Sequence, residues 1–334
     1  MSWVVTLKIT DCASGNYLPY ATINDGYTNF TADANGQFIA IIDDYYYAYI
    51  VQISKSGYTS KSFTLHNSQS GTIQTVCLNV YVPPEGTGTG TGTGTSCFIV
   101  TATTGSPQSD EVVLLRDLRG AVSTTSAVAC RLIDGMYEEY QRFSPVVADW
   151  LDADAAARDN ALVVEVTPLV AWYRLAGALA LDAGDPSAAD LALSDAELAC
   201  DHIAPWDAAR LFTALGAAAE VPADLPPALA ALGAQLTPGA SLPLVRWAVL
   251  EPLSRMWASA VRGLDLAVEI ERWLASAPID LIDAPAADSL DTELGELASL
   301  LAFSPQARAE LARRIQIAWP DTAQALTRSG FADG

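Results

Sequence analysis

The sequence predicts a multidomain chain of β plus α class: a small antiparallel β-sandwich, a flexible linker, and a larger all-helical domain. Three observations predict it. Apolar and polar residues alternate up to about residue 82, a Gly-Thr repeat runs from Gly86 to Thr95, and Ala- and Leu-rich stretches of helical spacing follow. The boundaries are 1–82 for the sandwich, 83–96 for the linker, 97–150 for a first helical region and 151–334 for a helical extension packed with it. At 334 residues the chain has length for about two domains, each with its own core.

In the first module Val5, Leu7 and Ile9 alternate with Thr6, Lys8 and Thr10, the period of a half-buried strand. Phe38, Ala40 and Ile42 repeat the pattern, as do Tyr47, Tyr49, Val51 and Ile53. Phe63 with Leu65 predicts a shorter strand, and Val76, Leu78, Val80 and Val82 predict the last. Asp25-Gly26, Asn35-Gly36 and Ser56-Gly57 supply turns between them. Short strands at this spacing with no helical stretch indicate a sandwich. Cys12 follows the first strand and Cys77 lies in the last, so the two could pair.

The run Leu18-Pro19-Tyr20-Ala21-Thr22-Ile23, then Thr31 to Phe38, then Tyr49 to Tyr58 resembles the carboxypeptidase regulatory-like and Cna-B-like family. That resemblance covers nearly all of 3–82 and implies a prealbumin-like Greek-key sandwich, a type commonly used as a stalk, spacer or adhesion unit. Some Cna-B-like modules join a first-strand Lys to a last-strand Asn in an isopeptide bond, and Lys8 and Asn79 stand at matching positions. The reaction needs a carboxylic acid to shuttle protons, and no Glu precedes Glu85. Alternation also turns Lys8 away from the face of Leu7 and Ile9, so a solvated lysine is expected.

Val82-Pro83-Pro84-Glu85 stops the last strand, and the Gly-Thr tract then behaves as a flexible coil spanning roughly 15–20 Å.

The second module opens with Cys97-Phe98-Ile99-Val100-Thr101-Ala102, followed by Gly105-Ser106-Pro107 and Leu114-Leu115-Arg116-Asp117-Leu118-Arg119. Together with Tyr140 and Ser144 to Ala148 this resembles the CFI-box of many bacterial proteins, over about 96–150. The resemblance implies no activity, and in the family the box often lies near a C-terminus, unlike here. Ser106-Pro107 reads as a helix N-cap with Pro at the first position, ahead of Asp110 and Glu111 at the positive end of the helix dipole. Ser144-Pro145, Asp185-Pro186 and Ser304-Pro305 read as further caps. Ala129, Ile133, Met136 and Tyr140 share one helical face, and Ala307, Leu311, Ile315 and Ala318 another, with Glu310 and Arg314 paired outside. An irregular helical bundle or a solenoid-like stack is expected. Seven of the eight tryptophans fall here, Trp150, Trp172, Trp206, Trp247, Trp257, Trp273 and Trp319, and core packing rather than ligand stacking is expected of them.

Composition excludes some function classes. A formal charge of −21, from 18 basic and 39 acidic residues, opposes nucleic acid, whose affinity comes from cations displacing counterions. It also disfavours anionic membrane surfaces. Met1-Ser2-Trp3 runs directly into a strand, so no signal peptide is expected, and a cytoplasmically assembled particle or a non-Sec export route would fit. The uncharged stretch from Leu225 to Val245 carries Pro226, Pro227, Pro238 and Pro243, so no integral membrane segment is expected.

Candidate chemistry is sparse. The five cysteines, Cys12, Cys77, Cys97, Cys130 and Cys200, are too scattered for a disulfide framework. Of two histidines, His66 falls after a strand and His202 stands in Cys200-Asp201-His202, leaving Cys97 with His202 as the one thiol–base pair to consider. No zinc spacing occurs, and the acidic run Asp280, Asp283, Asp288, Asp291, Glu293 and Glu296 lacks a calcium-loop pattern. No catalytic, cofactor-binding or metal-binding set is therefore assigned, and no cofactor is expected. The expected function is a non-enzymatic structural or adhesion component of a bacterial or phage-like extracellular assembly, contacting other protein subunits or copies of itself. The alternatives are a carbohydrate- or peptide-binding accessory protein, and a cysteine-dependent enzyme using Cys97.

Overall fold

The computed structural model describes residues 2–24, 29–43, 48–55, 58, 61–78, 98–181, 190, 192–194, 205–329 and 331. Among the described residues, the N-terminal region has the strands β1 Ser2–Asp11, β2 Thr22–Asn24, β3 Asn29–Thr31, β4 Gln37–Asp43, β5 Ala48–Ser54, β6 Lys61–His66 and β7 Ile73–Leu78. They form a three-stranded sheet in the order β4-β1-β7 and a four-stranded sheet in the order β3-β2-β5-β6. The alternation in β1 is obeyed: Trp3, Val5, Leu7 and Ile9 are buried. They share one core with Ile42, Val76 and Leu78 of their own sheet and with Ile23, Val51, Ile53 and Leu65 of the other.

One pairing departs from the antiparallel expectation, because β7 runs parallel to β1, with Thr10 opposite Cys77. Parallel neighbours need a long connection between them, and five strands in both sheets separate these two, so the chain has room to return in the same direction. β2 and β3 are too short for a period of two to mark them. His66 is the last residue of β6 and not a loop residue. Asp25-Gly26, Ser56-Gly57, Tyr47, Asn79, Val80 and Val82 lie outside the described residues, as does the linker.

Asn35-Gly36 does form a turn, with Gly36 at a φ of +66°. A Cβ there would lie 2.8 Å from the Ile9 carbonyl oxygen, so a left-handed backbone and a close approach both call for glycine. Lys8 extends over the Tyr17 ring, its Nζ 5.8 Å from the centroid.

The C-terminal region is helical. Its elements are α1 Phe98–Thr104, α2 Asp110–Thr125, α3 Ala127–Ala153, α4 Ala155–Leu181, α5 Pro205–Gly216, α6 Pro227–Ala240, α7 residues 243–262, α8 Leu266–Ala275, α9 Leu290–Leu300, α10 Pro305–Ala318 and α11 Ala323–Arg328. α3 touches α1, α2, α4, α6, α7 and α9. That makes a bundle around α3 and not a stack in which each unit meets only its neighbours. α3 also carries the chain past residue 150 without a break.

α4 is long and apolar enough to cross a membrane by length and composition, a property the proline-based reading did not find. Of its most apolar stretch, 67% is buried inside the fold, as in the core helix of a bundle.

Ser304-Pro305 does start a helix, the Ser304 Oγ accepting from the Ala307 amide at 3.1 Å. Ser144-Pro145, by contrast, lies inside α3. Glu310 makes its direct ion pair with Arg313, at 2.6 Å, while Arg314 acts on it through charge alone; three and four residues apart are both neighbours on a helix surface, so spacing alone could not choose. Asp185-Pro186 lies outside the described residues.

Candidate functional site

Cys97 and His202 lie outside the described residues, as does Cys200. Ile99 is buried in the core, and its amide donates to the Tyr140 hydroxyl at 3.0 Å, so α3 caps the start of α1. Phe98 packs partly buried against the same core. The Thr103 and Thr104 hydroxyls donate back to the Ile99 and Val100 carbonyls at 2.7 and 2.8 Å. Gly105, at a φ of +73°, ends α1 in the left-handed region. Ser106 is buried and accepts from the Gln108 amide at 3.1 Å, whereas Pro107 is exposed. The segment is thus a joint between two helices.

The cap of α2 is Ser109, whose Oγ accepts from the Val112 amide at 3.3 Å, and not Ser106-Pro107. The Ser109 amide donates to the Ser106 carbonyl at 3.2 Å, so residues 106–109 close a turn and the helix begins one turn later than read. Asp110 and Glu111 do lie in its first turn.

The other candidates are spent on structure. Cys12 and Cys77 are joined by a disulfide, with Cα atoms 4.8 Å apart. Cys130 is half-buried, its Sγ 3.6 Å from Asp134 Oδ2. Asp11, beside Cys12, has its carboxyl held below the usual range, first by the Ser14 amide and then by the Tyr58 hydroxyl. From the acidic run, Asp291 binds Arg328, Glu293 binds Arg131, and Glu296 accepts from the Ala127 amide. Those three tie α9 to α11 and to the start of α3. Among the described residues no three His, Cys, Asp or Glu side chains are grouped to hold a metal.

What the helices build together is a cavity of about 220 Å³ with an almost wholly apolar wall. α2 contributes Leu115, Leu118, Arg119 and Val122, and α3 contributes the predicted face of Ala129, Ile133, Met136 and Tyr140, plus Tyr137. Leu169, Tyr173, Ala176 and Gly177 of α4, Trp247 of α7 and Trp273 of α8 add to it, and leucines of α9 and α10 are among the residues that close it. The helix face that these four residues share is therefore largely cavity wall.

Prolines inside two helices set its aromatic side. Pro168 in α4 and Pro252 in α7 each follow a π-helical turn, Leu162–Val166 and Arg246–Leu250. Proline has no N–H for the carbonyl four residues earlier and its ring crowds that carbonyl, so the helix widens. The two carbonyls are those of Val164 and Ala248. Trp257 Nε1, five residues after Pro252, donates to the Val164 carbonyl at 3.0 Å. The Tyr173 hydroxyl, five residues after Pro168, donates to the Ala248 carbonyl at 2.5 Å. Each helix thus satisfies the backbone acceptor that proline frees in the other. A proline in a helical run with an aromatic five residues on was the signal in the sequence.

Trp247 and Trp273 stack with centroids 4.9 Å apart. Each indole N–H donates to the other's backbone carbonyl, at 3.2 and 2.8 Å. Trp172, Trp257, Trp273 and Trp319 are buried, as expected of core residues, while Trp206 is 68% exposed. Glu139 of α3 fixes the start of α7 by accepting from the Leu244 and Val245 amides at 2.8 and 3.1 Å.

Among the described residues of the wall, Arg119 alone is charged. Its guanidinium lies 4.2 Å over the Tyr137 ring, and one nitrogen is 3.5 Å from the more exposed Asp134. Space of this size without packed atoms forfeits dispersion contacts along its apolar wall. Water is a poor filler, since it needs two or more polar partners.

A second feature lies on the outer face of the β4-β1-β7 sheet. Ile41 (71% exposed), Ile39 (60%) and Ile73 (58%) stand with Val4 across three strands. Val4 is opposite Ile41, and Thr6 is opposite both Ile39 and Ile73, so the side chains form one row. No family model, no curated protein and no solved structure matches this chain.

Proposed function

We propose that this chain is a non-enzymatic structural or adhesion component, in which a prealbumin-like sandwich makes contact with other protein subunits and the helical domain anchors it. The observation that carries the reading is the exposed row of Val4, Ile39, Ile41 and Ile73. Contiguous exposed apolar surface of this kind marks protein contact sites. The row lies on sheet backbone pinned by the Cys12–Cys77 disulfide at one end, so little ordering cost attends docking. The return of β4 to lie beside β1 supports the Greek-key form. A bacterial or phage-like extracellular assembly suits the acidic, lysine-poor surface, and self-contact through two isoleucine rows is the simplest arrangement.

Light scattering on the whole chain tests it. Wild-type protein is expected to associate with rising concentration, and Ile39→Lys with Ile41→Lys to remain monomeric with an unchanged circular dichroism spectrum. Both side chains point outward, so the double variant folds. A wild type that stays monomeric at high micromolar concentration would sink the self-contact reading. A second reading departs from the carbohydrate- or peptide-binding alternative: the apolar cavity favours an accessory protein that takes an apolar ligand.

A further inference from the structure

We infer that the helical domain binds an amphiphile, an apolar chain with an anionic head, inside the cavity, with the head at Arg119. The inference is independent of the contact role of the sheet face.

Tyr173, Trp247 and Trp273 turn their polar atoms to backbone carbonyls within the fold. Tyr140 accepts from the Ile99 amide. What these four rings present to the cavity is aromatic surface, and the leucine, alanine and methionine side chains between them add only alkyl surface. A sugar or a peptide backbone placed there would leave its donors and acceptors unmet, at a cost that rules them out. An alkyl chain loses nothing and fills space that water fills badly.

The head group follows from charge. Arg119 is the one charge among the described wall residues. Tyr137 holds the guanidinium plane from one side, and Asp134 engages one nitrogen at 3.5 Å from a carboxylate more than half exposed. An exposed pair of this length is weak, and the guanidinium fork has five N–H donors. A carboxylate at the cavity mouth can therefore take a two-point contact that Asp134 does not. The cavity admits a chain of medium length, and small residues at its wall, Ala129 of α3 and Ala176 of α4, leave it open.

Calorimetric titration of the whole chain with decanoate and with decanol tests both halves. Both are expected to bind saturably and to raise the melting temperature. Ala176→Leu fills the cavity and should weaken both by about tenfold or more, and Ala129→Leu does the same from the opposite wall should the first variant fold poorly. Arg119→Gln should weaken decanoate by about tenfold and leave decanol within about twofold. Absence of saturable binding by either probe overturns the site, as does unchanged affinity in a folded cavity-filling variant. Equal loss of both probes in Arg119→Gln overturns the head-group assignment.

Discussion

Glu165 makes the sharpest energetic prediction. Its side chain is 2% exposed, in the π-helical turn of α4, and its Oε2 has no hydrogen-bond partner. Burial alone pushes its pKa up to about 8, from an ordinary 4.5. The folded state therefore holds a proton that the unfolded chain releases. Stability from this group is complete below pH 4.5, falls as pH rises between 4.5 and 8, and is lost once the folded acid also ionises. At about 1.4 kcal/mol per unit the whole span is worth roughly 5 kcal/mol, of which about 2 to 3 kcal/mol falls between pH 5 and pH 7. Glu165→Gln keeps the shape and removes the ionisation. Urea unfolding of both proteins at several values from pH 5 to pH 8, followed by far-ultraviolet circular dichroism to report the helices, gives the difference directly. Wild type should lose about 2 to 3 kcal/mol more than the variant over pH 5–7. Parallel pH profiles would refute the reasoning, because they would mean that the carboxyl is solvated or paired in solution.

Tyr173→Phe removes the donor to the Ala248 carbonyl and should cost about 1–3 kcal/mol in urea unfolding, the penalty of a buried acceptor left unmet; a change within error would show that water replaces it. Replacing Cys12 and Cys77 by serine opens a link across 65 residues. Loop entropy puts the loss at about 4 kcal/mol, read as a lower melting temperature of the β region, and the same shift should follow reduction of the wild type.

Much of the fold was legible in local pattern. The alternation of Val5, Leu7 and Ile9 placed them inside, and Ser304-Pro305 marked a true helix start. Both signals depend on a few neighbouring residues, which is why sequence carries them. Ser144-Pro145 and Ser106-Pro107 misled for the same reason. A proline disfavours helix only if its lost hydrogen bond goes uncompensated, and compensation arrives from elsewhere, as from Tyr173 and Trp257 to the carbonyls ahead of Pro252 and Pro168.

The candidate site was less legible. Ala129, Ile133, Met136 and Tyr140 were correctly grouped on one helix face, but spacing cannot say whether that face meets packed atoms or a cavity. The outward isoleucines of β4 alternate with inward Ala40 and Ile42, so the strand reads as apolar on both sides.

By itself the sequence determined the division into a strand-rich and a helix-rich part, the inward faces of the regular elements and the acidic surface, because each is set by side-chain period and composition. Only the tertiary structure decided the parallel β1–β7 pairing, the proline-freed carbonyls answered from a second helix, the buried acid Glu165 and the cavity beside Arg119. Those depend on which distant segments meet, and burial, hydrogen-bond satisfaction and empty volume are properties of the meeting and not of either segment alone.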